Sequence, residues 1–105
     1  MKICITAKGD KLDSQFDERF ARAEYFIFYD TDTGKFEGIE NPLKDGEHGV
    51  GIKASQFIAD RGVEAVLSGN FGPKASDTLS SLGVKTIKAT GSTVKEIIDN
   101  YKDKI

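Results

Sequence analysis

The chain has 105 residues, of which 38% are apolar and 30% charged, with a net charge of −2 at neutral pH. That size and composition suit one soluble domain with a core of its own, and the charge balance leaves no basic footprint for nucleic acid. A single cysteine, Cys4, excludes an internal disulfide framework and an all-cysteine metal cage within one chain, and the lack of a signal pattern or of an apolar run near the roughly 20 residues of a membrane span points to a cytoplasmic protein.

Lys2–Ala7, KICITA, is a β-branched run with little alternation, which predicts a strand covered on both faces. Lys8–Ser14 is polar and reads as a loop. In Gln15–Ala23, QFDERFARA, Phe16 and Phe20 stand four apart, the spacing of one short helical turn, with Arg19 and Arg22 on another side. Glu24–Asp30, EYFIFYD, is aromatic and β-branched and predicts a second strand. Turn chemistry in Asp30–Gly34 followed by Lys35–Glu40, KFEGIE, completes a β-hairpin. Asn41-Pro42 closes it, and the polar loop runs on to Gly49.

Val50, Ala54, Phe57 and Ile58 then recur at helical spacing, and Gly62 stops that helix. Glu64–Leu67 reads as a buried strand, Ser68–Gly72 as a glycine-punctuated loop, and Pro73–Leu82 as a helix. Proline suits the first helical position because its missing N–H would be unpaired there, and Gly83 suits the left-handed end. Val84–Ala89 predicts a fifth strand. Ser92 or Thr93 caps the last helix, with Glu96 three after Thr93 as in a capping box. Its stripe is Val94, Ile97, Ile98 and Tyr101.

A weak repeat of 21 residues sets Ala54-Ser55 against Ala75-Ser76, Ile58 against Leu79, Gly62-Val63 against Gly83-Val84, and Val66 against Ile87. Each unit is a helix, a glycine stop and a strand, which supports parallel strands joined by helical crossovers. The expected architecture is an α/β fold with a ribonuclease-H-like motif. It has a mixed five-stranded sheet in the order 3-2-1-4-5, strand 2 antiparallel, and three helices, in one domain over residues 1–105.

Ligands in open α/β sheets favour the C-terminal edge of the strands. Thr6–Gly9, Gln15–Ala23 and Gly69–Gly72 should converge there. Gly69, Asn70 and Gly72 place free backbone N–H groups at a helix N-terminus beside Lys74, an arrangement that attracts anions. A lysine in the first helical turn opposes the dipole, which favours an anionic partner. Arg19 and Arg22 either face this loop or pair with Asp17, Glu18 or Glu24. His48, the sole histidine, can supply one metal ligand but not a closed site. Cys4 reads as a small buried hydrophobe. No nucleophile–base pair is legible. A two-metal nuclease would need a carboxylate on the first strand, which has none, so the residues argue against an enzyme.

The ordered pieces Phe16-Asp17-Glu18-Arg19-Phe20-Ala21-Arg22-Ala23, Asn41-Pro42-Leu43, His48-Gly49, Gly69-Asn70-Phe71-Gly72 and Gly83-Val84 span nearly the whole chain. Together they resemble the dinitrogenase iron–molybdenum cofactor biosynthesis family, the small domain of NifX type also found at the end of NifB-type proteins. The resemblance implies non-enzymatic binding or carriage of an iron–sulfur or iron–molybdenum cluster or its precursor, with cluster-assembly proteins as partners. Cluster-carrying members have His-Phe-Gly-Arg-Ala where this chain has Arg19-Phe20-Ala21-Arg22-Ala23. Arg19 therefore replaces a histidine, Arg22 matches the family arginine, and His48 matches a histidine of some members. The implied site joins Arg19, Arg22, Gly69, Asn70, Gly72 and Lys74 around the anion, with His48 as the metal ligand. A second reading is a regulatory module that binds a small anion or nucleotide without metal. A third is an interaction domain, a monomer or a weak homodimer through the hairpin edge.

Overall fold

A computed structural model describes residues 1–105. Strands β1 (Lys2–Ala7), β2 (Tyr25–Asp30), β3 (Phe36–Glu40), β4 (Ala65–Ser68) and β5 (Lys85–Lys88) form one sheet in the order β3-β2-β1-β4-β5. β2 runs antiparallel to both β1 and β3, whereas β4 is parallel to β1 and β5. The predicted order and the antiparallel second strand are those observed. Helices α1 (Val50–Ala59), α2 (Pro73–Ser81) and α3 (Val94–Tyr101) complete the fold, with a short 3-10 turn at Lys102–Lys104.

Side chains alternate across the sheet, so the inner strands β1, β2 and β4 each feed two cores. Cys4, Phe26, Phe28 and Val66 face α1 and α2, where they meet Ala54, Ile58, Ala75 and Leu79. Ile3, Ile5, Ile27 and Leu67 face α3, where they meet Val94, Ile97 and Ile98. β1 is central and buried on both faces, which is why KICITA shows no polar alternation. The thiol of Cys4 is fully buried, and that burial pushes its pKa up.

The repeat has a structural counterpart. Gly62 and Gly83 end their helices at φ 77° and 78°, a conformation that suits glycine, and each precedes a buried valine. Two such crossovers in succession put α1 and α2 on the same face, side by side. A Cβ on Gly51 would stand 3.4 Å from that of Ala75, so the two helices touch near their N-termini. α3 starts as the spacing predicts: Thr93 Oγ1 accepts from the Glu96 N–H at 3.2 Å.

The segment Gln15–Ala23 corrects the expectation of a helical turn. It is irregular and runs across the end of the sheet. Its backbone pairs with strand ends and loops: Lys8 N donates to Gln15 O at 2.8 Å, Phe16 N to Ser92 O at 2.9 Å and Asp17 N to Thr6 O at 3.1 Å. Once those bonds are made, no i→i+4 ladder is needed. Phe16 and Phe20 consequently enter opposite cores, Phe16 under α3 and Phe20 under α1 and α2.

Candidate functional site

The three segments expected at the C-terminal edge do converge, but they seal it. Thr6 Oγ1, fully buried, donates to Asp17 O at 2.6 Å and lies 2.8 Å from Ser68 Oγ. Arg19 and Asn70 form a parallel bridge. Gly69 passes so close to Glu18 that a Cβ there would sit 2.8 Å from the Glu18 Cβ and 2.9 Å from its Cα. The loop therefore covers the ends of β1 and β4 with its own backbone.

Asp17 organises that cover. Its carboxylate, only 2% exposed, accepts from Arg19 Nε at 3.0 Å, Arg19 Nη2 at 2.9 Å, Arg19 N at 3.0 Å and Glu24 N at 3.2 Å. Burial pushes its pKa up, but the Arg19 guanidinium and the two backbone N–H groups outweigh that and hold it below the usual range. Asn41 performs a similar task one loop away. Its Nδ2 donates to Ala21 O at 2.8 Å and Ala23 O at 2.9 Å, while its Oδ1 accepts from Leu43 N at 2.9 Å. Lys44 Nζ, 2.7 Å from Glu24 Oε2, ties the same two loops and lowers the Glu24 pKa.

The open space lies beside this seal. A cleft of about 420 Å³ is lined by Phe20, Ala21 and Arg22, by Glu47 and Gly49–Gly51, and by Asn70 and Gly72–Ala75. It sits where α1 and α2 begin. Neither helix has a side-chain cap or an acidic residue in its first turn. The N–H groups of Val50, Gly51 and Ile52, and of Lys74 and Ala75, have no acceptor in the chain. Two helix N-termini, Arg22 and Lys74 thus contribute positive potential, against one carboxylate, Glu47. Phe20, packed against Phe71 with ring centroids 5.2 Å apart and planes tilted by 38°, gives the cleft an apolar side.

Of the residues singled out in the sequence, Arg22, Asn70, Gly72 and Lys74 line this cleft together. Arg19 does not; its side chain is closed on Asp17, the ion pair that its acidic neighbours offered. Gly69 also lies outside, occupied with its close approach to Glu18. His48 is exposed, between the lining residues Glu47 and Gly49 but not itself part of the wall. No group of three or more His, Cys, Asp and Glu side chains is arranged to hold a metal ion. Sequence reasoning missed Asp17 and Asn41 as organisers and Gly49 as the start of a second N-terminus. Asn41-Pro42 carried a signal, read only as a turn. Gly49 carried a better one, since it stands immediately before a helical stripe, the position of a cap.

Known proteins share both sequence and shape with this chain. The family model for the dinitrogenase iron–molybdenum cofactor matches residues 1–104. An uncharacterised protein of Methanocaldococcus jannaschii is 33% identical over 101 residues, covering 93% of this chain and 82% of that protein. The apo form of the orange protein from Desulfovibrio gigas superposes with a TM-score of 0.93 at 35% identity, over 98% of this chain and 88% of its own. A Thermotoga protein whose description names NifB gives a TM-score of 0.84 at 42% identity, over 97% and 87%. On these matches the chain belongs to the dinitrogenase iron–molybdenum cofactor family.

Proposed function

We propose that this chain is a cytoplasmic, non-enzymatic binder or carrier of an anionic iron–sulfur or iron–molybdenum cluster, or of a precursor to one, taken from and passed to cluster-assembly proteins. The observation that carries the reading is the cleft. In a family tied by description to the iron–molybdenum cofactor, two uncapped helix N-termini, Arg22 and Lys74 open onto one space of about 420 Å³. The donor set suits a cluster that arrives complete. With no trio of metal-binding side chains and with Cys4 buried, the chain offers N–H groups and cations to sulfide or carboxylate oxygens. His48, beside the wall, supplies at most one imidazole. Arg19 and Gly69 serve the site by shaping its neighbouring loop. The sheet order fits a ribonuclease-H-like motif used as a scaffold, without that motif's carboxylates.

The test is anaerobic reconstitution with iron, sulfide and molybdate, followed by visible absorption and electron paramagnetic resonance. The wild-type chain should retain a coloured, paramagnetic species after desalting, and an Arg22→Ala, Lys74→Ala double variant should not. Equal retention by both would refute the cleft as the site. His48→Ala separates charge from ligation, since it should change the line shape more than the amount bound.

A second reading has its own support, because every donor in the cleft is an N–H group, which also suits a phosphate or nucleotide without metal. A thermal shift with organic phosphates in metal-free buffer, and none with clusters, would favour it.

A further inference from the structure

Arg22 is the one arginine of the three in the chain that has no carboxylate partner. Arg19 is closed on Asp17, and Arg61 pairs with Glu37 at 3.0 Å. Arg22 instead donates from Nη1 to Lys44 O and to Gly46 O, both at 2.7 Å. A guanidinium carries five N–H donors in a rigid fork. The donors on Nε and Nη2 of Arg22 have no acceptor in the chain, and the residue lines the cleft.

The two carbonyls belong to the loop between β3 and α1. The base of that loop is fixed, by the three hydrogen bonds of Asn41 and by Lys44 on Glu24. Its tip is not. Asp45, Glu47 and His48 are exposed and make no hydrogen bond to the rest of the fold, and Gly46 N donates only back to Leu43 O at 3.1 Å. Gly49, at φ 66°, turns the chain into α1 with a conformation that side chains rarely adopt. The one hydrogen bond that reaches the tip from outside the loop is that of Arg22 Nη1 to Gly46 O, and its bond to Lys44 O ties the same guanidinium to the base. Glu47, within the tip, and Gly49, just beyond it, belong to the wall of the cleft.

We infer that Asp45–His48 is a strap on the cleft, latched by Arg22, and that occupancy of the cleft and closure of the strap are linked through that one guanidinium. The latch stands on the hydrogen bonds alone; the linkage rests on the anion reading of the cleft. An anion that enters meets the free Nε and Nη2 donors while Nη1 stays on the carbonyls. It therefore immobilises Arg22 and the strap together. Reciprocally, any change that closes the strap raises affinity for the anion by the same factor. Because His48 rides on the strap, closure also sets where the chain's single imidazole stands relative to the ligand.

The experiment is backbone ¹⁵N relaxation on the full chain, comparing wild type with Arg22→Ala and Arg22→Lys. Order parameters at Asp45–His48 should fall from near the rigid value of about 0.85 towards 0.6 or below in both variants. Lysine fails because its Nζ stands one bond short of the Nη1 position that reaches both carbonyls, and it lacks the Nε and Nη2 donors that face the anion. Unchanged order in both variants overturns the latch. Sulfate is then added to the wild-type chain as the anion probe. It should shift the Lys74 and Ala75 amides and, through Arg22, the amides of Asp45–His48, and Arg22→Ala should bind it about tenfold more weakly. Shifted Lys74 and Ala75 amides with no change at Asp45–His48 overturn the linkage. A titration that leaves Lys74 and Ala75 unmoved refutes the anion reading of the cleft instead, and the variant comparison decides the latch independently.

Discussion

Asp17→Asn should be among the most damaging single changes outside the apolar cores. The side chain is 2% exposed and its two oxygens accept four hydrogen bonds, two from the Arg19 guanidinium and two from the backbone N–H groups of Arg19 and Glu24. An asparagine keeps the shape but turns an NH₂ group towards donors. Hydrogen bonds to a charged group contribute about 1.5–3 kcal/mol each when lost in isolation. Arg19 is 56% exposed, so water takes over much of what it loses. The backbone N–H groups of Arg19 and Glu24 sit on different carboxylate oxygens, so the one amide oxygen can keep only one of them and the other is left facing an NH₂ group without an acceptor. The expected loss is about 3 kcal/mol, or a fall in Tm of roughly 10–20 °C for a chain of this size. Arg19→Ala, by contrast, should lose only about 1 kcal/mol, because Asp17 keeps its backbone donors. Urea titrations of both variants and the double variant measure the difference. Equal losses, or a loss under about 1 kcal/mol for Asp17→Asn, would refute the view that this carboxylate organises the loop. The same carboxylate predicts a pH dependence. Its folded pKa is depressed, so its contribution is complete above the ordinary aspartate pKa of about 4 and is lost as pH falls through the lower folded value. Wild-type stability should therefore decline below about pH 4 more steeply than that of Asp17→Asn.

Three further outcomes follow from other positions. Gly69→Ala should cost about 1–3 kcal/mol in denaturant melts, because its Cβ would sit 2.8 Å from the Glu18 Cβ, whereas Gly72→Ala meets nothing within 4 Å and should change stability by less than about 0.5 kcal/mol. Cys4 should stay unreactive towards a water-soluble disulfide reagent at pH 8 and react only on unfolding, since burial removes access and pushes the thiol pKa up; fast labelling of the native chain would contradict the packing of β1. Thr93→Ala removes the acceptor of the Glu96 N–H and should lower stability by about 1 kcal/mol, read from the Tm.

Much of the fold was legible because its signals are local. Period and composition marked the strands, and glycine stops at Gly62 and Gly83 marked the helix ends to within two or three residues. The sheet order then followed from connection rules, because parallel strands need crossovers and a hairpin needs only a turn. Phe16 and Phe20 mark the limit. Four residues apart means one face only if the segment is helical, and its hydrogen bonds went to Thr6, Lys8 and Ser92 instead.

The site divides along the same line. Local signals specify a glycine-led helix start at Gly72, two nearby arginines and one histidine, and a resemblance to the iron–molybdenum cofactor family. Which of these share a space depends on tertiary packing. Arg19 and Arg22 are three residues apart, yet one is closed on Asp17 while the other faces the cleft. That choice depends on partners distant in the chain: Lys44 and Gly46 supply the carbonyls that position Arg22, and Gly72 brings a second helix N-terminus beside the one at Gly49. A charge at a helix start is written locally, whereas the convergence of two such starts is a property of the packing of α1 against α2.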